Sequence, residues 1–343
     1  MFKKYTIFAL IFILGLSLMA SRNIMVTTPD VSQKSSVSQR IGISDISVVY
    51  YSPAVNKREI WGKLIPYGKI WRVGANENTV ICFSHDVRVE GKSLKKGKYG
   101  LHMIPQKDRW TVVFSTNHTS WGSYFYKKEE DALRVDVTPK TGEFREWMSF
   151  DFRNRQAESA VLTLSWEKLQ VPVRIEVDVK KTMLTNLRNE LRSLPFWYWQ
   201  GTYGAAKYCV DNGINFEEAL TWIDQSINVE ENFQNLMLKS KILEKLKQQE
   251  KADKLKTYAM KVAREKDLTQ YAYSFARKDR KKCETILLKN IKRFKTWTSY
   301  RAIARLYNYF KEKEKAMKYF KLALKKAPVD RKKALSEEIN KTK

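Results

Sequence analysis

The periodicity of the chain changes once, near residue 180, and that change limits the fold to a β-rich unit followed by a helical one. Upstream, short β-branched and aromatic runs cover 44–51, 78–90, 98–104, 109–115, 132–138, 146–152, 159–166 and 171–179. Val171-Pro172-Val173-Arg174-Ile175-Glu176-Val177 alternates apolar and polar residues, and a period of two puts neighbouring side chains on opposite faces of a sheet. Glu90-Gly91, Lys96-Gly97 and Lys107-Asp108 mark turns between runs. Short strands with hairpin-length connections predict an antiparallel β-sandwich, jelly-roll-like, over residues 37–180.

Downstream, over 181–343, helical periodicity takes over, and only Pro195 and Pro328 remain of the prolines. Ala219, Ala252, Cys283 and Ala316 recur as small residues 33, 31 and 33 positions apart, close to the period of about 34 of tetratricopeptide repeats. The last repeat is the best preserved, with Tyr300, Ile303, Ala304, Tyr307, Ala316, Phe320, Ala323 and Pro328 in the expected order of bulky, small and aromatic residues. The repeat beginning at Phe233 is weaker, with Ser240 and Lys256 at less usual positions. Three to four stacked helix pairs, tetratricopeptide-like, are expected.

The first residues carry the parts of a secretory signal: Lys3-Lys4, then an uncharged apolar run from Tyr5 to Ala20, then Ser21. A signal over 1–20 and a flexible, serine-rich tether over 21–36 follow from that pattern; retention of the run as an uncleaved anchor is the other reading. Either way the expected location is the periplasm or cell envelope. No cysteine stands near Ala20, which excludes a lipid-anchored lipoprotein. Cys82, Cys209 and Cys283 are widely spaced and match neither a zinc motif nor a redox pair.

The formal charge is +27. Residues 181–343 hold 37 Lys and Arg against 19 Asp and Glu, so most of the excess lies on the helical part. For an exported chain this argues against nucleic acid and leaves two readings: lysines decorating solvated helix faces, or an acidic surface partner. Stacked helix pairs also offer a concave surface to a protein or peptide, although a scaffold that only stabilises or spaces the β unit fits the pattern equally.

Residues 58–79 break the strand pattern and concentrate Arg58, Trp61, Trp71, Arg72, Asn76 and Glu77. Ser38-Gln39-Arg40-Ile41-Gly42, Tyr51-Ser52-Pro53, Ile60-Trp61-Gly62, Ile65-Pro66-Tyr67-Gly68-Lys69-Ile70-Trp71-Arg72, Gly74-Ala75-Asn76-Glu77, Gly97-Lys98-Tyr99-Gly100-Leu101 and Trp166-Glu167 occur in this order. With these motifs, the region of about 37–180 resembles the bacterial family catalogued as domain of unknown function 2911. The resemblance implies an exported protein of a kind common in Bacteroidetes-type bacteria, often followed by helical repeats, and it implies no activity.

Two readings of 58–79 stand side by side. In one, the tryptophans cap the core and Arg72 or Arg58 pairs with Glu77 beneath a pinned loop. In the other, Arg58, Trp61, Trp71, Arg72, Asn76 and Glu77 line a ligand-binding mouth. No nucleophile elbow, phosphate loop or zinc helix motif is present, and His85, His102 and His118 share no metal-ligand spacing. No cofactor, metal or catalytic residue is therefore called for. The expectation is a non-catalytic cell-envelope protein with an envelope ligand at the β unit and a protein partner on the repeats. The alternative is a hydrolase acting on an envelope polymer, with its cleft around Arg72, Asn76 and Glu77. If residues 1–20 are a signal, N-terminal sequencing of the protein recovered from its cells will begin close to Ser21; intact Met1 protein soluble in the cytoplasm would count against it.

Overall fold

The computed structural model describes residues 28–341; the expected signal over 1–20 and the first part of the tether, 21–27, lie outside them. Strands β1 (Gln33–Ile41), β2 (Ser44–Ser52), β3 (Val80–Phe83), β4 (Val87–Val89), β5 (Lys92–Leu94), β6 (Gly97–Ile104), β7 (Trp110–Ser115), β8 (Asp131–Val137), β9 (Lys140–Arg153) and β10 (Ser159–Glu176) form two antiparallel sheets. One sheet runs β1-β2-β3-β6-β7-β8 and the other β5-β4-β10-β9. The β4–β5 hairpin thus leaves the first sheet after β3 and joins the second before the chain returns at β6.

Alternation decides which side chains meet between the layers. Ile46 and Val48 of β2, Ile81 and Phe83 of β3, Leu101 and Met103 of β6 and Val112 and Phe114 of β7 are buried. They share one apolar core with Val87, Val89, Met148, Phe150, Leu162, Leu164, Val173 and Ile175 of the second sheet. The unit is therefore a two-layer sandwich.

Two elements depart from expectation. β1 begins at Gln33, inside the stretch read as tether, and pairs in register with β2 from Gln33↔Ser52 to Ile41↔Ser44. Its residues stay exposed or half-buried until Ile41, so this edge strand carries none of the apolar alternation that marks the others. The runs 159–166 and 171–179 belong mostly to a single strand, β10, interrupted by a bulge. At the bulge Glu167 takes φ +54°, and the shift of register lets one long strand turn with the sheet.

The chain divides after Leu184 into two compact units. Helix α1 (Val179–Glu190) crosses that division, and a short 3₁₀ turn follows at Leu194–Trp197. The second unit holds α2 (Trp199–Asn212) with α3 (Phe216–Val229), α4 (Phe233–Lys245) with α5 (Gln249–Val262), α6 (Glu265–Tyr273) with α7 (Arg280–Phe294), and α8 (Trp297–Tyr309) with α9 (Lys313–Lys326). Helix α10 (Val329–Asn340) closes the series.

Ala219, Ala252, Cys283 and Ala316 each stand fourth in the second helix of a pair, and each is fully buried. Their amides donate to the carbonyls of Asn215, Gln248, Asp279 and Glu312, the residues just before those helices. Two turns further on, Ser226, Ala259, Asn290 and Ala323 form a second fully buried row. The polar members bond to the neighbouring first helix: Ser226 Oγ donates to Trp199 O at 2.9 Å, and Asn290 Nδ2 donates to Thr269 Oγ1 at 2.9 Å. Ser240, unusual by pattern, donates to Ala252 O across its own pair at 3.0 Å.

Burial pushes the Cys283 thiol up to about 11, where it behaves as a small packing group. At the C-terminal end, Glu338 of α10 accepts from Arg301 and Arg305 of α8, both at 2.5 Å. Among the described residues no helix is long and apolar enough to cross a membrane. Ala316→Leu forces a larger side chain between paired helices and will lower the unfolding free energy by roughly 1–3 kcal/mol in urea titration. Lys318→Leu, on the exposed face of the same helix, will shift it by less than about 0.5 kcal/mol.

Candidate functional site

Residues 53–79 run from β2 to β3 without joining either sheet as a strand, yet backbone bonds tie them to both. On the second sheet, Met148 N donates to Pro53 O at 3.0 Å and Val55 N donates to Glu146 O at 2.8 Å. On the first, Trp71 and Met103 exchange both backbone hydrogen bonds, at 2.8 and 2.9 Å, and Gly68 N donates to Pro105 O at 2.9 Å.

Side chains lock the same crossing. Trp61 and Trp71 meet Trp110 of β7 and Trp166 of β10. Trp71 stacks on Trp166 with ring centroids 5.9 Å apart and planes at 20°. Trp61 meets Trp71, Trp110 and Trp166 edge-on at 5.9, 5.0 and 5.7 Å. Such pairs add about 0.5–1.5 kcal/mol each beyond the area they bury. Trp71 is buried and Trp61 half-buried, so both belong to the core, as the first reading of this stretch supposed.

The ion pair in that reading does not form. Arg58 donates to the carbonyls of Ala54 and Val55 at 2.5 and 3.0 Å. Glu77 is exposed and takes the Tyr51 hydroxyl as its partner, a hydrogen bond that holds the Tyr51 phenol above its usual range. Asn76 serves the turn, at φ +51°.

Val73 is more unusual. It is a fully buried β-branched residue at φ +55°, a conformation such side chains rarely adopt. Thr79 Oγ1 donates to Val73 O at 2.7 Å, and a Cβ on the next residue, Gly74, would stand 2.9 Å from Tyr51 O. The surroundings thus hold a backbone that would otherwise relax, a pattern that gathers at functional sites.

Beside this crossing lies a cavity of about 450 Å³, within the range of small-molecule sites. Trp71 and Trp166 form one part of its wall, and Trp147, Leu64, Pro53 and Pro66 form another. Among the described residues, Arg58, Lys69 and Arg72 are its charged lining residues, and no Asp, Glu, His or Cys lines it. Of the residues singled out by sequence, Arg58, Trp71 and Arg72 reach the cavity, whereas Trp61, Asn76 and Glu77 do not line it. Sequence reasoning missed Trp147, which is 48% exposed on β9. Its neighbours Met148 and Phe150 point inward, so an aromatic at the outward parity of that strand was the available signal.

The histidines have other settings. His102, on β6, lies buried with Nδ1 3.2 Å from Ser123 Oγ and its ring 5.5 Å from that of Tyr126. Nδ1 of His85 is 3.0 Å from Ser84 Oγ. Among the described residues no group of three or more His, Cys, Asp or Glu is placed to share a metal ion.

The fold and the cavity define a β-sandwich with a ligand-sized pocket beside a tryptophan-locked crossover. Residues 32–175, the sandwich from its first strand to its last, match the family model described as "Protein of unknown function (DUF2911)". No curated protein matches the chain.

Burial lowers the pKa of His102 to about 4, against a weaker opposing pull from Asp131. The folded protein keeps this imidazole neutral where the unfolded chain, titrating near 6.5, takes up a proton. Stability therefore falls as pH drops from 6.5 towards 4 and levels below that, by about 3 kcal/mol in all for this group. Urea unfolding at pH 6.5 and 4.5 will show a smaller acid loss for His102→Gln than for the unaltered protein.

Proposed function

We propose that this is an exported, non-catalytic binding protein whose sandwich holds a small ligand and whose helical repeats carry a protein or peptide partner. The observation that carries the first half is the cavity itself. It has a tryptophan wall fixed by the core, an exposed Trp147 together with Pro53 and Pro66 in its lining, and Gly74, next to the strained Val73, at its edge. Pockets that are apolar, largely preformed and edged by a few polar groups are the usual form of ligand sites.

Binding rather than hydrolysis is supported by the lining. General acid–base work needs a titratable side chain within hydrogen-bond reach of the reacting group, and among the described residues the lining offers no carboxyl, imidazole or thiol and only the exposed Lys69 amine. Support for the second half comes from a groove of about 550 Å³ on α4 and α6, where Phe233, Tyr271 and Phe275 stand among Lys241, Lys278 and Lys282. Aromatic anchors ringed by charge suit a peptide. The export half of the proposal rests on the N-terminal sequence pattern alone.

Two tryptophans separate folding from binding. Trp71→Ala empties part of the core and will cost about 3–5 kcal/mol of stability, whereas Trp147→Ala on the surface will change it by less than about 0.5 kcal/mol. Equilibrium dialysis of the full chain against a low-molecular-weight envelope extract, read by mass spectrometry, will retain a compound that the Trp147→Ala protein releases. Failure of the unaltered protein to retain any compound would end the ligand-binding reading.

A further inference from the structure

Resting on the cavity reading above, we infer that the ligand is a small ring-bearing anion, a molecule with a carboxylate, phosphate or sulfate attached to a ring that has an apolar face. The cavity combines a surplus of donors with a lack of acidic acceptors. Arg58, Lys69 and Arg72 line it without any acidic side chain among the described residues. Two of its N–H groups are buried and have no acceptor among the described residues, Nε1 of Trp166 and Nε of Arg72.

A buried donor left unpaired is costly, and proteins pair nearly all of them. Both atoms lack surface open to water or to a ligand atom, so what an acceptor-rich group of the ligand meets is the accessible charge of the rim, which it neutralises. Arginine and lysine differ in the way they do this. A planar guanidinium fixes the orientation of an oxyanion, and an ammonium adds a mobile point charge. Two of the five N–H donors of Arg58 are held by Ala54 O and Val55 O, which ties its guanidinium to the loop, so we assign the anion first to Arg72 and the exposed Lys69.

The rest of the cavity specifies the body of the ligand. Trp147 presents an exposed indole, and Leu64, Pro53 and Pro66 give flat or rounded apolar surface beside it. Apolar ring faces pack on such indoles, while an open-chain anion would leave this wall unused. The ordering of roles is thus charge at Arg72 and Lys69, ring at Trp147.

Isothermal titration of the full chain with two matched probes, 4-nitrophenyl β-glucuronide and 4-nitrophenyl β-glucoside, isolates the anion, because they differ at a carboxylate. 4-Nitrophenyl phosphate and sulfate then distinguish the oxyanion. At least one anionic probe will bind roughly tenfold or more tighter than the glucoside, and the preference will shrink with added salt. Lys69→Gln, at an exposed position that folding does not need, will reduce the preference, as will Arg72→Gln. Binding of every anionic probe no tighter than that of the glucoside, unchanged in Lys69→Gln, would overturn the anion inference and leave the cavity reading standing. Absence of binding by all four probes would also overturn it, while the cavity reading would still be decided by the dialysis result.

Discussion

The interlock of four tryptophans is the contact on which the β unit depends. Trp110 comes from the first sheet, Trp166 from the second, and Trp61 and Trp71 from the chain between β2 and β3. A connection as long as 53–79 pays a large conformational entropy on ordering. Indoles that each touch several others offset it, because every ring orders its neighbours while burying apolar area. The crossing of the loop, the closing of one side of the sandwich and the wall of the cavity are therefore one physical event. Removing a single indole disturbs all three.

Much of the architecture could be read from residues. The alternation in β2, β6 and β7 follows one buried face, and the recurrence of a small residue follows the closest approach of paired helices. The strand β1 escaped because an edge strand built mostly of serine, glutamine and basic residues has no apolar parity to betray it; only pairing with β2 defines it. The bulge at Glu167 split β10 into two apparent runs because a bulge shifts parity. In the helical unit, Ser226 and Asn290 sit where small apolar residues were expected, and each compensates by bonding to the first helix beside it. At these two places the buried row is kept closed by hydrogen bonding rather than by small apolar side chains.

The candidate site was legible only in part. Its unusual composition pointed to 58–79, but composition does not say which way a side chain faces. Glu77 turned to Tyr51, and Asn76 was used up by its turn. Trp147 and Trp166, remote in sequence, supplied the surfaces that make the space a cavity. That kind of completion arises from sheet packing and leaves no local trace, which is why Arg72 without Trp147 looks like half of an ion pair.

The helical unit behaves as a one-dimensional stack, in which each pair holds only its neighbours. Its first helices are not equal: α6 spans nine residues, while α2, α4 and α8 span 13 or 14. The C-terminal end is clasped by Glu338 between two arginines, so fraying from that end is opposed. In such a lattice the shortest internal member is the softest bond, and amide protons near α6 would exchange through openings smaller than global unfolding.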